Sequence, residues 1–185
     1  MISVNELRTG VTVEVEGEIY SVVDFLHVKT GRGGAFVRTK LKNIRTGAVL
    51  DRTFRAGERI SRARIELKQM QYLYHSGEEY FFMDTESYDQ VSLYTEVLED
   101  APKYLVENMV IGIQFYEGKA VGVDLPTTVD LEVVETEPGF RGDTAQSATK
   151  PAKVQTGITI QVPLFVEQGE LVKVDTRTGE YVSRA

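Results

Sequence analysis

Apolar and polar residues alternate in short stretches along most of this chain, and turn residues interrupt the alternation at short intervals. Val11–Val15 reads Val-Thr-Val-Glu-Val, with apolar side chains at every second position. After a turn at Gly17 the pattern resumes over Glu18–Phe25, then over Ala35–Leu41 and, past Arg45-Thr-Gly47, over Ala48–Phe54. Further strands are predicted at Gln71–Tyr74, Tyr80–Asp84, Ala120–Asp124, Thr128–Val134, Gly157–Val162, Leu171–Asp175 and Tyr181–Val182. Turns fall at Ser76-Gly77, Glu117-Gly118, Gln168-Gly169 and Thr176–Gly179. Period-two alternation broken by Gly-centred turns points to small barrels or sandwiches. Only Ala101–Met109 reads as a helical turn or two.

The stretches 65–128 and 129–185 share a layout: several short strands, a Gly turn and an acidic balance. This predicts two barrel-like modules behind a basic N-terminal module, 1–64. One sandwich over 65–185 fits the same periodicity. Modules of this size bury only about 60% of their unfolded surface, so they should pack on one another or share strands.

Composition narrows the chemistry. Of 185 residues, 42% are hydrophobic and 26% charged, enough to build a core. Cys is absent and the histidines are His27 and His75, which excludes thiolate nucleophiles, Cys-based zinc sites and a His-rich metal centre. No metal or cofactor is expected. No apolar run approaches the roughly 20 residues that cross a bilayer. The opening Met-Ile-Ser-Val-Asn-Glu-Leu-Arg has neither a basic nor an apolar signal region, so the expected setting is cytoplasmic, without a membrane.

The net charge of -7 hides an asymmetry. Residues 1–64 hold 12 basic and 7 acidic side chains, and 65–185 hold 9 and 21. Within 29–64, eleven Lys and Arg face only Asp51 and Glu58. Such a cluster suits a phosphate backbone, which attracts cations without being read as sequence, although a solvated basic face has the same composition.

The stretch Val28–Phe36 reads Val-Lys-Thr-Gly-Arg-Gly-Gly-Ala-Phe and lies between two predicted strands, so Lys29–Gly34 is a hairpin loop. Gly31, Gly33 and Gly34 can take positive φ at no steric cost and leave Arg32 without bulky neighbours. Arg38, Lys40 and Lys42 share one face of the following strand, because side chains at i, i+2 and i+4 do so. A projecting cation with a basic stripe behind it suits a narrow, phosphate-lined cavity. A flexible glycine hairpin kept soluble by its Arg fits the spacing equally. The loop completes neither a P-loop nor a dinucleotide fingerprint, since Phe36 stands where the last glycine of the latter would fall.

At this loop the chain resembles the family of bacterial translation elongation factor P. Met1–Gly10 resembles the family's opening, Gly31-Arg32-Gly33 its tip, and Gln71–Tyr74, Tyr80–Asp84 and Tyr88–Gln90 its second-domain core. Gly139–Thr144 resembles a third-domain loop. The signature Lys-x-Ala-x4-Gly-x2-Ile-x-Val-Pro-x2-Val-x2-Gly is filled by Lys150, Ala152, Gly157, Ile160, Val162, Pro163, Val166 and Gly169.

The resemblance implies an all-β protein of three small barrels. An SH3-like (KOW-type) N-terminal domain, 1–64, is followed by OB-fold domains, 65–128 and 129–185, in a tRNA-like overall shape. It implies a monomer that binds both ribosomal subunits between the peptidyl-tRNA and exit sites and relieves stalling at consecutive prolines. By position Arg32 is the tip facing the acceptor end of peptidyl-tRNA, in a loop formed by Lys29, Gly31, Gly33 and Gly34. Arg38, Lys40 and Lys42 would contact RNA. So would Gly142, Asp143 and Thr144, toward mRNA in the exit site, and Tyr181 and Arg184 at the C-terminus. The common tip pattern is Pro-Gly-Lys-Gly; here it is Thr30-Gly31-Arg32-Gly33. The Arg excludes the lysine-specific modification. The family's arginine-bearing branch can carry a rhamnose, which would make an Arg-modifying enzyme a further partner, and the Thr30 and Gly34 departures bear on its recognition.

The remaining features have plainer readings. Arg141-Gly142-Asp143 spells an adhesion tripeptide, but in a chain with no Cys and no secretion signal a turn or RNA-contact loop fits better. Glu78-Glu79 and Glu99-Asp100 have no His beside them and read as solvated carboxylates rather than acid–base pairs. Tyr72, Tyr74, Tyr80, Phe81 and Phe82 could stack bases, yet alternation assigns at least half of them to a core. A small-molecule enzyme would lack a nucleophile, a metal cluster and a phosphate loop, so no enzymatic activity is expected. A general OB-fold RNA-binding or RNA-chaperone protein is the alternative to a translation factor; it explains the basic end but not the two acidic modules.

Overall fold

The computed structural model describes residues 1–139 and 148–185. It is an all-β chain, as the alternation predicts. By contacts the chain divides into two compact units, Met1–Lys68 with Ile113–Gly122 and Gln69–Gly112 with Val123–Ala185.

The first unit contains β1 (Ile2–Ser3), β2 (Thr12–Val15), β3 (Glu18–Val28), β4 (Phe36–Asn43), β5 (Val49–Arg55) and β6 (Arg59–Arg62), in the sheet order β1-β6-β2-β3-β4-β5. The long β3–β4 hairpin is its spine. Along β4, Val37, Thr39, Leu41 and Asn43 are buried while Arg38, Lys40 and Lys42 are exposed. Val4, Leu7, Val13, Val22, Leu41 and Phe54 form part of the core beneath. The two polar residues on the inner side of β4 are satisfied. Thr39 donates to the Arg52 carbonyl at 2.8 Å. Asn43 donates to Glu18 and accepts from the Arg45 and Thr46 backbone at 2.8 and 3.0 Å, which closes the turn to β5. That turn also needs Gly47, whose φ is +73°.

A second sheet takes β7 (Glu66–Ser76), β8 (Glu79–Asp84), β9 (Gln90–Tyr94), β10 (Val110–Tyr116) and β11 (Lys119–Asp124) in the order β11-β10-β7-β8-β9. The third, within the second unit, takes β12 (Thr128–Thr136), β13 (Thr149–Val154), β14 (Thr159–Pro163), β15 (Leu171–Asp175) and β16 (Tyr181–Arg184) in the order β14-β13-β12-β15-β16. Its core includes Leu131, Val133, Val154, Val162, Val172 and Val174.

Five strands escape the alternation pattern, each for a physical reason. β1 and β6 are only two and four residues long, too short to show a period. β9 has a single buried residue, Leu93. β10, Val-Ile-Gly-Ile-Gln-Phe-Tyr, is almost continuously apolar, so period two is invisible in it. β13 places Lys150 and Ala152 inward around an exposed Pro151, so its apolar signal is inverted. Lys150 is buried, and its ammonium donates to the Glu137 carbonyl at 2.5 Å.

Of the helical turn or two predicted over Ala101–Met109, one turn forms. Thr95–Leu98 is a single α turn and Ala101–Tyr104 a 3-10 turn. Leu105 is extended, with ψ 123°, and Asn108 has φ +68°, so helical geometry ends after one turn. The segment serves packing instead. Tyr104 is buried in the same cluster as Val129 and Leu131, with Val106, Met109 and Leu125 against it. Thr156 also donates to the Lys103 carbonyl at 2.6 Å.

Candidate nucleic-acid interface

The β3–β4 hairpin carries the loop. Val28 pairs with Phe36 in the last rung, and residues 29–35 close the gap. Lys29 through Gly34 are all exposed. Arg32 lies in this exposed stretch and forms no ion pair among the described residues.

The loop glycines do not use the freedom that the sequence gives them. None of Gly31, Gly33 and Gly34 takes a positive φ; the left-handed glycines of the chain lie in its other turns. Side chains at Gly31 and Gly34 would meet nothing within 4 Å, whereas a Cβ at Gly33 would lie 3.1 Å from the Thr30 hydroxyl oxygen. That hydroxyl is 2.6 Å from the Gly33 carbonyl oxygen and 3.3 Å from that of Gly34. A side chain at Gly31 or Gly34 would thus stand in open space, and the glycine at 33 makes room for Thr30.

Behind the loop, the outer face of β3, β4 and β5 shows Arg38, Lys40 and Lys42 side by side. The pairing register makes them unequal. Lys40 lies between Asp24 on β3 and Asp51 on β5, Arg38 between Leu26 and Thr53, and Lys42 between Ser21 and Val49. Directly opposed residues on one face lie about 4.5–5.5 Å apart at Cβ, so Lys40 has a carboxylate opposite it on each side and Arg38 has none directly opposite. A hollow of about 500 Å³ opens on this face, lined by Asp24, Leu26, Arg38, Lys40, Asp51 and Arg52. Leu26 is 59% exposed there, and the Arg38 guanidinium lies 5.6 Å from the centre of the Phe36 ring. Of the eleven cations in 29–64, Arg45 and Arg52 pair with Glu18 and Glu16, at 3.2 and 3.1 Å. Composition shows neither these pairs nor the flanking aspartates. The register that follows from the seven-residue β3–β4 loop would have revealed Asp24; Asp51 depends on the register of the β4–β5 turn.

The C-terminal candidates belong to the other unit. Tyr181 is half-buried against the core of the third sheet. Arg184 lies 4.5 Å from the centre of the exposed Phe165 ring and 3.4 Å from a Glu170 carboxylate oxygen. The terminus is a strand to Arg184, and the Ala185 N–H donates to the Leu171 carbonyl at 3.0 Å. Gly142, Asp143 and Thr144 lie outside the described residues.

Of the aromatic set, only Tyr72 and Phe82 are buried. The pairing register shifts between Tyr72 and Tyr74; Tyr74 is exposed and stacks on half-buried Phe81 at 4.6 Å, and half-buried Tyr80 stacks on His75 at 5.0 Å. Burial, then Tyr80 and Glu107, push the Tyr72 phenol from 10.0 up to about 12. A raised pKa means that the neutral phenol favours the folded state. The contribution is complete below pH 10.0 and is lost as pH rises toward about 12. Urea unfolding at successive pH values should show the loss, and Tyr72→Phe should flatten that part of the profile; an unchanged slope would contradict the assignment. Among the described residues, no group of three or more His, Asp or Glu is placed to hold a metal ion, and no helix is long and apolar enough to cross a membrane.

Three family models match the chain in succession. Residues 3–60 match the Elongation factor P (EF-P) KOW-like domain, 65–123 the Elongation factor P (EF-P) OB domain, and 129–184 the Elongation factor P C-terminal domain. The chain is 60% identical over 185 residues to Elongation factor P of Moorella thermoacetica, covering 100% of both chains. It is 58% identical over 184 residues to Elongation factor P of Thermoanaerobacter sp. strain X514, again covering 100% of both. Among solved structures, it resembles eukaryotic translation initiation factor 5A from Methanococcus jannaschii. That likeness has a TM-score of 0.54 and 21% identity, covering 66% of this chain and 92% of that one. A translation initiation factor 5A family protein from Naegleria fowleri gives a TM-score of 0.55 and 16% identity, covering 67% and 96%. These two likenesses speak for the fold alone.

Proposed function

The chain belongs to the elongation factor P family and is a ribosome-associated translation elongation factor, and from that premise we propose that it works by holding the acceptor end of peptidyl-tRNA with Arg32. In this reading it occupies the ribosome between the peptidyl-tRNA and exit sites and relieves stalling at consecutive prolines. The observation that carries the reading is Arg32 itself, an exposed cation with no ion pair among the described residues, in a loop whose neighbours are kept small.

Proline is a poor acceptor, and the peptidyl end can rest in an unproductive geometry. A guanidinium is a planar fork of donors with no acceptor. It can grip phosphate or a base edge and fix an orientation, but it cannot take a proton. Orientation alone can remove up to about 7–11 kcal/mol from a barrier in ideal cases. The ribosome supplies the chemistry, and the factor has no enzymatic activity alone.

The division of labour follows the proposed modules 1–64, 65–128 and 129–185. The first brings the tip and the stripe to the tRNA. The last touches RNA through Gly142–Thr144, Tyr181 and Arg184, toward mRNA in the exit site. An enzyme that modifies Arg32 would be a further partner, and the intact mass of native-host protein would reveal its product. Co-sedimentation with 70S ribosomes against free RNA, together with translation of a reporter containing three consecutive prolines, tests the whole reading. Binding to free RNA as tight as to ribosomes would favour a general RNA-binding protein instead.

The stripe makes its own prediction. Neutralising Arg38, Lys40 and Lys42 together should weaken ribosome binding and flatten its dependence on salt. The log–log slope should fall by about 0.7–0.9 for each phosphate that is no longer neutralised. Among the single changes Lys40→Gln should matter least, because Asp24 and Asp51 already offset its charge. An unchanged salt slope in the triple variant would remove the stripe from the account.

A further inference from the structure

We propose that the Thr30 hydroxyl is a positioning device for the tip, a strap across the loop that sets the direction in which Arg32 projects. The functional half of this inference rests on the reading of Arg32 given above; the structural half does not.

The loop needs such a device because its backbone provides none. The β3–β4 ladder stops at Val28 and Phe36. Among the described residues, no backbone–backbone hydrogen bond involves 29–34. Three of those six residues are glycines, which lose more conformational freedom on ordering than any other residue. The Thr30 side chain fills the gap. Its hydroxyl has one proton, donated to the Gly33 carbonyl at 2.6 Å, with the Gly34 carbonyl at 3.3 Å as a second acceptor. Gly31 and Arg32 are the residues enclosed by this bridge, so fixing its two ends fixes the base from which the guanidinium extends.

The environment of Gly33 provides a second, independent sign. Its backbone is not in the left-handed region, so backbone conformation does not demand glycine there. What a side chain would meet is the strap: a Cβ would stand 3.1 Å from the Thr30 oxygen, tighter than ordinary van der Waals contact. At Gly31 and Gly34 the same test finds open space. Position 33 is therefore fitted to the hydroxyl at position 30.

The test uses the full chain as wild type and as Thr30→Ser, Thr30→Val, Gly33→Ala, the double Thr30→Val/Gly33→Ala and Arg32→Ala. Two quantities are measured: backbone ¹⁵N heteronuclear NOE values across residues 29–35, and the rate of synthesis through three consecutive prolines as a function of factor concentration. Valine keeps the shape of threonine without the hydroxyl. Thr30→Val should lower the NOE values of residues 31–34 and reduce the rate at saturating factor by about tenfold, within the roughly hundredfold that a 1 Å misplacement can cost. The concentration for half effect should hardly move, because Arg38 and Lys42 are untouched. Thr30→Ser should match wild type in both measurements. Gly33→Ala should resemble Thr30→Val, because both disturb the same bond, and the double variant should cost less than the sum of the two.

A loop as ordered in Thr30→Val as in wild type would overturn the strap. A disordered loop with an undiminished saturating rate would overturn the positioning role and leave the reading of Arg32 standing. Full rescue by Arg32→Ala would instead bring down that reading and the functional half with it, while the NOE values would still judge the strap.

Discussion

Arg32→Ala is expected to fold and melt like the parent chain, to sediment with ribosomes, and to fail in restoring synthesis through three consecutive prolines. The side chain is exposed, and no described residue loses an ion-pair partner when it is cut back. Exposed substitutions of this kind usually change stability by no more than about 0.5 kcal/mol. Binding should persist because Arg38 and Lys42 remain, and neither faces a carboxylate across the ladder. Rescue should be lost because nothing else in the loop can reach and orient: Lys29 sits at its foot, and the remaining neighbours are Thr30, glycines and Ala35. Arg32→Lys keeps the charge but not the planar fork, so partial rescue or none is expected. The measurement is translation in vitro with native-host protein on the proline reporter, with a proline-free reporter as control. Full rescue by Arg32→Ala would reduce the hairpin to a soluble glycine turn.

The second large effect concerns stability. Tyr104→Ala should destabilise the second unit by about 3 kcal/mol or more, as truncation of a buried aromatic usually does. Tyr104 precedes the residues that match the C-terminal family model, 129–184, yet it is 6% exposed in one cluster with Val129, Leu131 and Val174. Its hydroxyl is also close enough to Gly179 that a Cβ there would lie 3.1 Å away. Urea unfolding should show the loss, while Tyr94→Ala, at a 56% exposed site, should cost far less. Equal losses for the two would place Tyr104 outside the core. The same packing affects how the last module can be studied. Cutting the chain at 128 would uncover Tyr104, Met109 and Leu125, so point changes are the cleaner probe of Tyr181 and Arg184.

By itself the sequence determined the fold class, the paired strands of the long hairpin and the place of its loop. These are local matters: alternation has a period set by the strand itself, and a turn residue acts within a few positions. It also determined the family, because the signature over Lys150–Gly169 and the tip at Gly31–Gly33 are matters of order and spacing. The tertiary structure alone decided the rest. Lys150 is a core residue because the Glu137 carbonyl receives its ammonium, a partner 13 positions away that no pattern within the strand shows. Residues 101–109 read as a helical turn or two; one 3-10 turn forms, the chain then becomes extended, and Tyr104 enters the core around Leu131, a destination that no local pattern shows. The basic stripe reads as three equal cations until the register sets Lys40 between two aspartates and Arg38 beside none. The tip glycines read as residues free to take positive φ; they do not take it, and the bridge from Thr30 gives Gly33 a role in making space. In each case the deciding energy lies between residues that the chain brings together only on folding, and a reading along the sequence has no term for it.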